Sequence, residues 1–363
     1  MGAAERSAAP FLMDNGPGWS QPSEMRAVDR GRRSFGVLVM GAAASACIKG
    51  GRSVAAVAPP TAAVPSAPTL DPDHVVTAQT DPTLRMTAPV TVNGHGPYQF
   101  VVDTGANRSV ISSELAAALE LPPAGALIIH GVAGAEMVET VTAEHLAVSG
   151  LLIPGGRIPV LPAGRLGADG LLGVDGLGGR RLIMNFRQKS LTITINARIP
   201  GREPLFVEIP AKRRFGQLMI IDAAVEQTPV VAFLDSGAQS TVGNMALYNR
   251  IRSSAETLAP SRETLILSAT DQTAIGLIGS LPPLRLGRLI VQTSRCAFAD
   301  LHAFQLWDLM KKPAILIGMD LLRSFIWVEM DYARSVAGFR LDPSDMVPDH
   351  SRSDIGNQII PFD

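Results

Sequence analysis

Two short segments carry residue types that could do chemistry together: Asp103-Thr104-Gly105-Ala106 and Asp235-Ser236-Gly237-Ala238. Each aspartate ends an apolar run, Phe100-Val101-Val102 in the first and Ala232-Phe233-Leu234 in the second, with Pro97 or Pro229 six residues before it. Two carboxylates held face to face cannot both ionise easily, so their titrations split and one proton is shared over a useful pH range. Such a pair can take a proton from a water and return one to a polarised oxygen. Gly105 and Gly237 permit the tight turn and close approach that would let the loops meet. Asp, Ser and Gly are also ordinary turn residues, so one copy alone would say little.

The surroundings repeat as well, which makes an internal duplication the most informative feature of the chain. Nine residues after each aspartate stands a helix-capping residue, Ser112 or Asn244, ahead of short helix-like runs at 114–119 and 245–251. Farther on come Leu171-Leu172-Gly173-Val174-Asp175 and Leu316-Ile317-Gly318-Met319-Asp320. Gly173 follows Asp103 by 70 residues and Gly318 follows Asp235 by 83, so the second copy carries extra loop. The elements that must position these motifs read as strands: apolar or alternating runs at 88–92, 98–102, 191–195, 205–209 and 218–223, bounded by Gly, Pro and the hairpin dipeptide Asn93-Gly94. The fold class is all-β with short helices.

A chain of 363 residues suggests two domains plus extensions, and 46% hydrophobic residues can bury a large core. Formal net charge of −1 leaves no electrostatic footprint for a phosphate backbone, which argues against nucleic-acid binding. Cys47 and Cys296 form no ligand pattern, and the six histidines lack H-E-x-x-H spacing, so neither metal nor cofactor is expected. His95, His130, His145 and His302 have no partner at useful spacing and read as satisfied or solvated residues. A Ser-His-Asp hydrolase would need a G-x-S-x-G elbow, and the sequence has none.

The N-terminal region reads as an address. Arg26, Arg30, Arg32 and Arg33 precede an apolar run at 34–46, too short to span a bilayer. Arg32-Arg33 before Phe35 is twin-arginine-like, and Ala44-Ser45-Ala46 offers small residues for a signal peptidase. The expectation is export to the periplasm or another extracytoplasmic space. Cys47 leaves open membrane anchoring through a lipid, Ala56-Val57-Ala58 is a second candidate cut, and Met25 is a second candidate start. The Ala/Pro/Ser-rich stretch that follows reads as a linker.

On these residues the chain resembles retropepsin-like aspartic proteases, in a duplicated, bilobal, single-chain bacterial form. Ala106 and Ala238 after the D-[ST]-G motifs are similar to retropepsins more than to pepsins. The resemblance covers about residues 83–341 and implies two homologous β-barrel lobes related by a pseudo-twofold axis. It implies peptide hydrolysis by a water held between Asp103 and Asp235, with a cross-brace from the Thr104 and Ser236 hydroxyls. Asn107 and Gln239 stand where retropepsins keep an Asp that bonds substrate main chain. Hairpin tips at 129–138, centred on Gly131, Val132, Ala133 and Gly134, and at 267–275, with Thr270 and Asp271, are candidate flaps over a peptide. Leu172, Gly173, Ile317 and Gly318 read as packing behind the loops. No hydroxyl stands three residues after either aspartate to hold its carboxylate ionised, so the expected pH optimum is mildly acidic to neutral.

The resulting organisation is 1–58 export leader, 59–82 linker, 83–200 N-terminal lobe, 201–342 C-terminal lobe and 343–363 tail. The reading is an exported aspartic endopeptidase acting on peptide or protein substrates as a monomer of two pseudo-symmetric lobes. The alternative is a non-catalytic peptide-binding protein that keeps the cleft, and self-limited activity with the leader-proximal linker in the cleft stays open.

Overall fold

Alternation in residues 86–102 pairs the strands Met86–Val92 and His95–Val102 into a hairpin. Asn93 and Gly94 turn it with positive φ of 50° and 81°, as Asn-Gly does in two-residue turns. The structure, a computed structural model, describes residues 13–14, 74–81, 84–177, 179–195, 205–214, 218–252, 262–291, 294–342 and 359–361. The leader arginines, the apolar run, Cys47 and most of the linker lie outside the described residues.

Each lobe threads its motif through the same arrangement. In the first, Gly170–Leu172 lies parallel to His95–Val102 and antiparallel to Val110–Ser112. In the second, Ala314–Ile317 lies parallel to Thr228–Leu234 and antiparallel to Val242–Gly243. These central strands are covered on both faces: Phe100, Val101, Leu171, Ala232, Leu234 and Ile317 are all fully buried. Continuous apolar runs of this kind are what a strand packed on two sides requires. The short helices Ser113–Ala118 and Met245–Ile251 start at the expected caps, where Leu115 N–H donates to Ser112 Oγ at 3.1 Å and Leu247 N–H to Asn244 Oδ1 at 2.8 Å.

A shared antiparallel sheet joins the lobes at their base. Its strands run in the order Phe206–Arg214, Val336–Arg340, Trp327–Asp331, Arg181–Asn185, Ser190–Thr194, His74–Thr77. Lobe-one residues 181–194 are therefore hydrogen-bonded into the second lobe's sheet. His74–Thr77 and Gln79–Thr80 lie within the stretch read as linker, yet both add to sheets, because their backbone continues existing edges. Arg181 is buried in this base sheet between Glu329 at 3.2 Å and Asp331 at 3.4 Å. Two further strands fall in segments read as leader and tail: Met13–Asp14 pairs with Ile129 and His130, and Ile359–Pro361 pairs with Leu289–Val291. Lys212-Arg213-Arg214 continues a strand paired with Leu218–Ile220.

Candidate active site

The strands ending at Val102 and Leu234 deliver Asp103 and Asp235 to one place between the lobes. Both side chains are almost fully buried. Within each loop one carboxylate oxygen is held by its own turn: Asp103 Oδ1 accepts from Gly105 N at 2.9 Å and Ala106 N at 3.0 Å. Asp235 Oδ1 accepts from Gly237 N at 2.9 Å and Ala238 N at 3.1 Å. The other oxygen, Oδ2 of each, is reached by no backbone or hydroxyl donor among the described residues. The two carboxyls are close enough to shift each other's titration.

Close approach is built into the glycines. A Cβ at Gly105 would lie 2.6 Å from Asp235 Cγ, and one at Gly237 would collide with the Asp103 carboxyl. Any side chain there would push the carboxylates apart.

The hydroxyls cross between the lobes. Thr104 Oγ1 donates to Leu234 O at 3.1 Å and accepts from Ser236 N at 3.0 Å. Ser236 Oγ donates to Val102 O at 2.8 Å and accepts from Thr104 N at 3.1 Å. Each hydroxyl thus uses its donor and an acceptor site on the opposite loop. Four hydrogen bonds in a buried interface fix the loops to one another, since breaking any of them strands a buried polar group.

Electrostatics follow from that burial. Desolvation raises Asp103 well above the usual carboxylate range, and the charge of Asp235 raises it further. Desolvation pushes Asp235 up to about 7, against the lowering effect of its loop amides, Asp103 and the Arg85 guanidinium. The pair therefore retains a proton into the neutral range, the state needed for one group to accept while the other donates. Arg85 is itself buried and fixed by Asp81 at 2.7 Å and by Leu166 O at 2.7 Å.

Behind each loop lies a brace that the sequence motif contained without revealing. Asp175 accepts from Ser109 N at 3.0 Å and Ser109 Oγ at 2.8 Å, while Ser109 Oγ accepts from Gly173 N. Asp320 accepts from Thr241 N at 2.9 Å and Thr241 Oγ1 at 2.7 Å, while Thr241 Oγ1 accepts from Gly318 N. Asp103 N donates to Leu172 O and Asp235 N to Ile317 O, so the strands before Gly173 and Gly318 support the loops from behind. The duplicated Ser/Thr, Gly and Asp positions were the available signal.

Asn107 and Gln239 follow the two motifs, and their side-chain carbonyl oxygens are buried without a hydrogen-bond partner among the described residues. The residues of the two candidate flaps come together with one another. The hairpins Pro123–His130 with Ala135–Val148 and Arg262–Leu267 with Thr273–Leu281 carry the two tips. Gly131 lies against Ser268 and Thr270, and Gly134 against Gln272. Val132 and Thr270 are buried, Ala133 is half-buried and Asp271 is exposed. Val132 packs in the second lobe with Phe233, Ala303, Phe304 and Trp307. Ala269, which sequence reasoning passed over, packs reciprocally in the first lobe with Val101, Ile129 and Leu171. The amide of Asp271 donates to Glu136 Oε2 at 2.9 Å, a carboxylate also held by Arg165.

The aspartyl protease family model matches residues 88–175 and again residues 221–321, one match per lobe. No curated protein matches the chain.

Proposed function

Because the chain belongs to the aspartyl protease family and its function is accordingly of protease type, we propose that it is an exported endopeptidase using the Asp103–Asp235 pair to hydrolyse extended segments of peptides or proteins. The observation that carries this reading is the buried, mutually interacting carboxyl pair, whose two Oδ2 atoms accept no hydrogen bond from the described residues. In the proposed reaction, the ionised member of the pair takes a proton from water as the water oxygen bonds to the scissile carbonyl carbon. The protonated member gives its proton to the carbonyl oxygen. As the tetrahedral adduct collapses and the C–N bond breaks, the carboxyl that took the water's proton gives it to the leaving amine nitrogen, and the other carboxylate takes a hydroxyl proton from the adduct, which returns the pair to one shared proton.

Gly105 and Gly237 allow the approach, and the Thr104 and Ser236 hydroxyls keep the carboxyls from drifting as charge moves between them. The buried amide carbonyls of Asn107 and Gln239 are suited to accept main-chain N–H groups of an extended peptide. Gly131, Ala133, Gly134 and Asp271 are the flap positions proposed to line its cover. Export rests on the twin-arginine-like leader, and Cys47 as a lipid anchor is a further option within that reading.

The test is cleavage of an unfolded protein such as casein by purified mature protein. Wild type should cut, and Asp103→Asn and Asp235→Asn should not. Peptide binding without cleavage at any pH would instead establish a non-catalytic binding protein.

A further inference from the structure

We propose that His130 and His302 form a proton-operated latch that holds the first flap shut against the second lobe and releases it as the solution becomes acidic. His130 is the residue before the flap tip, and His302 opens the short helix His302–Leu306 of the opposite lobe. Separated by 172 positions in sequence, they meet with His130 Nδ1 3.0 Å from His302 Nε2. The ring planes lie 16° from parallel with centroids 5.3 Å apart. Beside them the flap is seated by Val132, fully buried in the second lobe, and by Ala303 N donating to Val132 O at 3.3 Å.

A ring-to-ring N–H···N bond needs one ring nitrogen with a free lone pair, so at least one imidazole must be neutral. When both rings carry a proton, both facing nitrogens are donors, and two like charges confront each other at hydrogen-bond distance. Burial holds both rings below the usual histidine range, His130 further lowered by His302 and His302 partly restored by a hydrogen bond to Gln305. A base whose pKa is lower in the closed state than in the open one leaves closure intact above its ordinary, open-state value and weakens it as pH falls from there toward the closed-state value. Falling pH therefore drives opening.

The charged groups on the surrounding elements do not cancel this. Glu136 on the flap's return strand is engaged by Arg165 and the Asp271 amide, and Glu139 lies farther along that strand, exposed. Asp271, on the second flap, is exposed. Asp300, ahead of the helix, accepts from Met245 N, and Asp308 follows the helix. Asp14, on the strand against the flap edge, is in register with Ile129. The second flap has Leu267 before its tip and Ala163 opening the corresponding short helix, so the device acts on one flap only.

The experiment is amide hydrogen exchange of the full-length chain in an Asp103→Asn/Asp235→Asn background, which removes dyad titration, measured between pH 7.5 and 5 and corrected for intrinsic exchange. Protection of residues 129–133 should fall about tenfold or more as pH drops. His130→Gln and His302→Gln, substitutions in different lobes that keep a polar group but cannot be protonated, should each flatten that fall, while Asp14→Asn should leave it intact. Protection that does not change with pH, a fall that persists in the His130→Gln/His302→Gln double variant, or one abolished by Asp14→Asn would overturn the latch. The readout requires no cleavage, so its failure is separable from failure of the peptidase reading.

Discussion

Lobe one and lobe two treat the dyad alike and its cover differently. At the dyad the two halves match bond for bond: two loop amides on each Oδ1, one hydroxyl crossing from each side, and one Asp–Ser/Thr–Gly brace behind each loop. At the flaps the symmetry is only partial. Both tips bury a small apolar residue in the opposite lobe, Val132 and Ala269, but only the first adds a histidine pair. A shared proton demands two equivalent arms, because any difference in desolvation or hydrogen bonding would localise it. A lid carries no such demand, so its two halves are free to differ.

The strongest way to break this comparison is through the carboxyls. Asp103→Asn and Asp235→Asn should each lower kcat by about 10³-fold or more, to a similar degree, in a peptide-cleavage assay. A large loss from one lobe only would show that the dyad is not shared.

The helix caps should separate the lobes. Asn244 is fully buried; its amide nitrogen donates to Leu309 O and Lys312 O, and its oxygen accepts from Leu247 N and Ala314 N. Ser112 Oγ accepts only the cap bond from Leu115 N among the bonds described. Asn244→Ala should cost about 3 kcal/mol in denaturant unfolding and Ser112→Ala about 1 kcal/mol. The cross-brace should restore equality: Thr104→Val and Ser236→Ala should each destabilise the fold by about 2 kcal/mol and slow cleavage together. Unequal losses would mean that one hydroxyl carries the interface.

A smaller effect comes from the dyad's titration. Both folded-state carboxyls are raised above an unfolded aspartate, so the folded chain binds protons more tightly. Their favourable contribution is complete below about pH 4 and is lost as pH rises through about 7. Asp235→Asn should therefore raise Tm at pH 8 by a few degrees, about 1–2 kcal/mol, and the gain should vanish near pH 4. An increase of the same size at both pH values would point to packing rather than charge.

Local patterns made much of this legible. Hairpin chemistry at Asn93-Gly94, caps at Ser112 and Asn244, apolar runs before each aspartate and the glycine-centred first flap tip all depend on residues close in sequence. The Asp175 and Asp320 braces were visible only as repeated letters, since nothing local says which backbone amide a carboxylate will accept. His130 and His302 read as unpartnered because their partnership has no sequence spacing to betray it.

The amino-acid order alone therefore determined a duplicated β protein with two D-[ST]-G loops, because strand alternation, turn conformation and helix capping act over a few residues. Tertiary structure decided which donors reach Oδ1 and which oxygens stay free, how deeply the carboxyls are desolvated, and what each flap rests on. Those depend on groups some 130 to 170 positions apart, brought together only when the two lobes bury a common interface and exclude the water that would otherwise satisfy them.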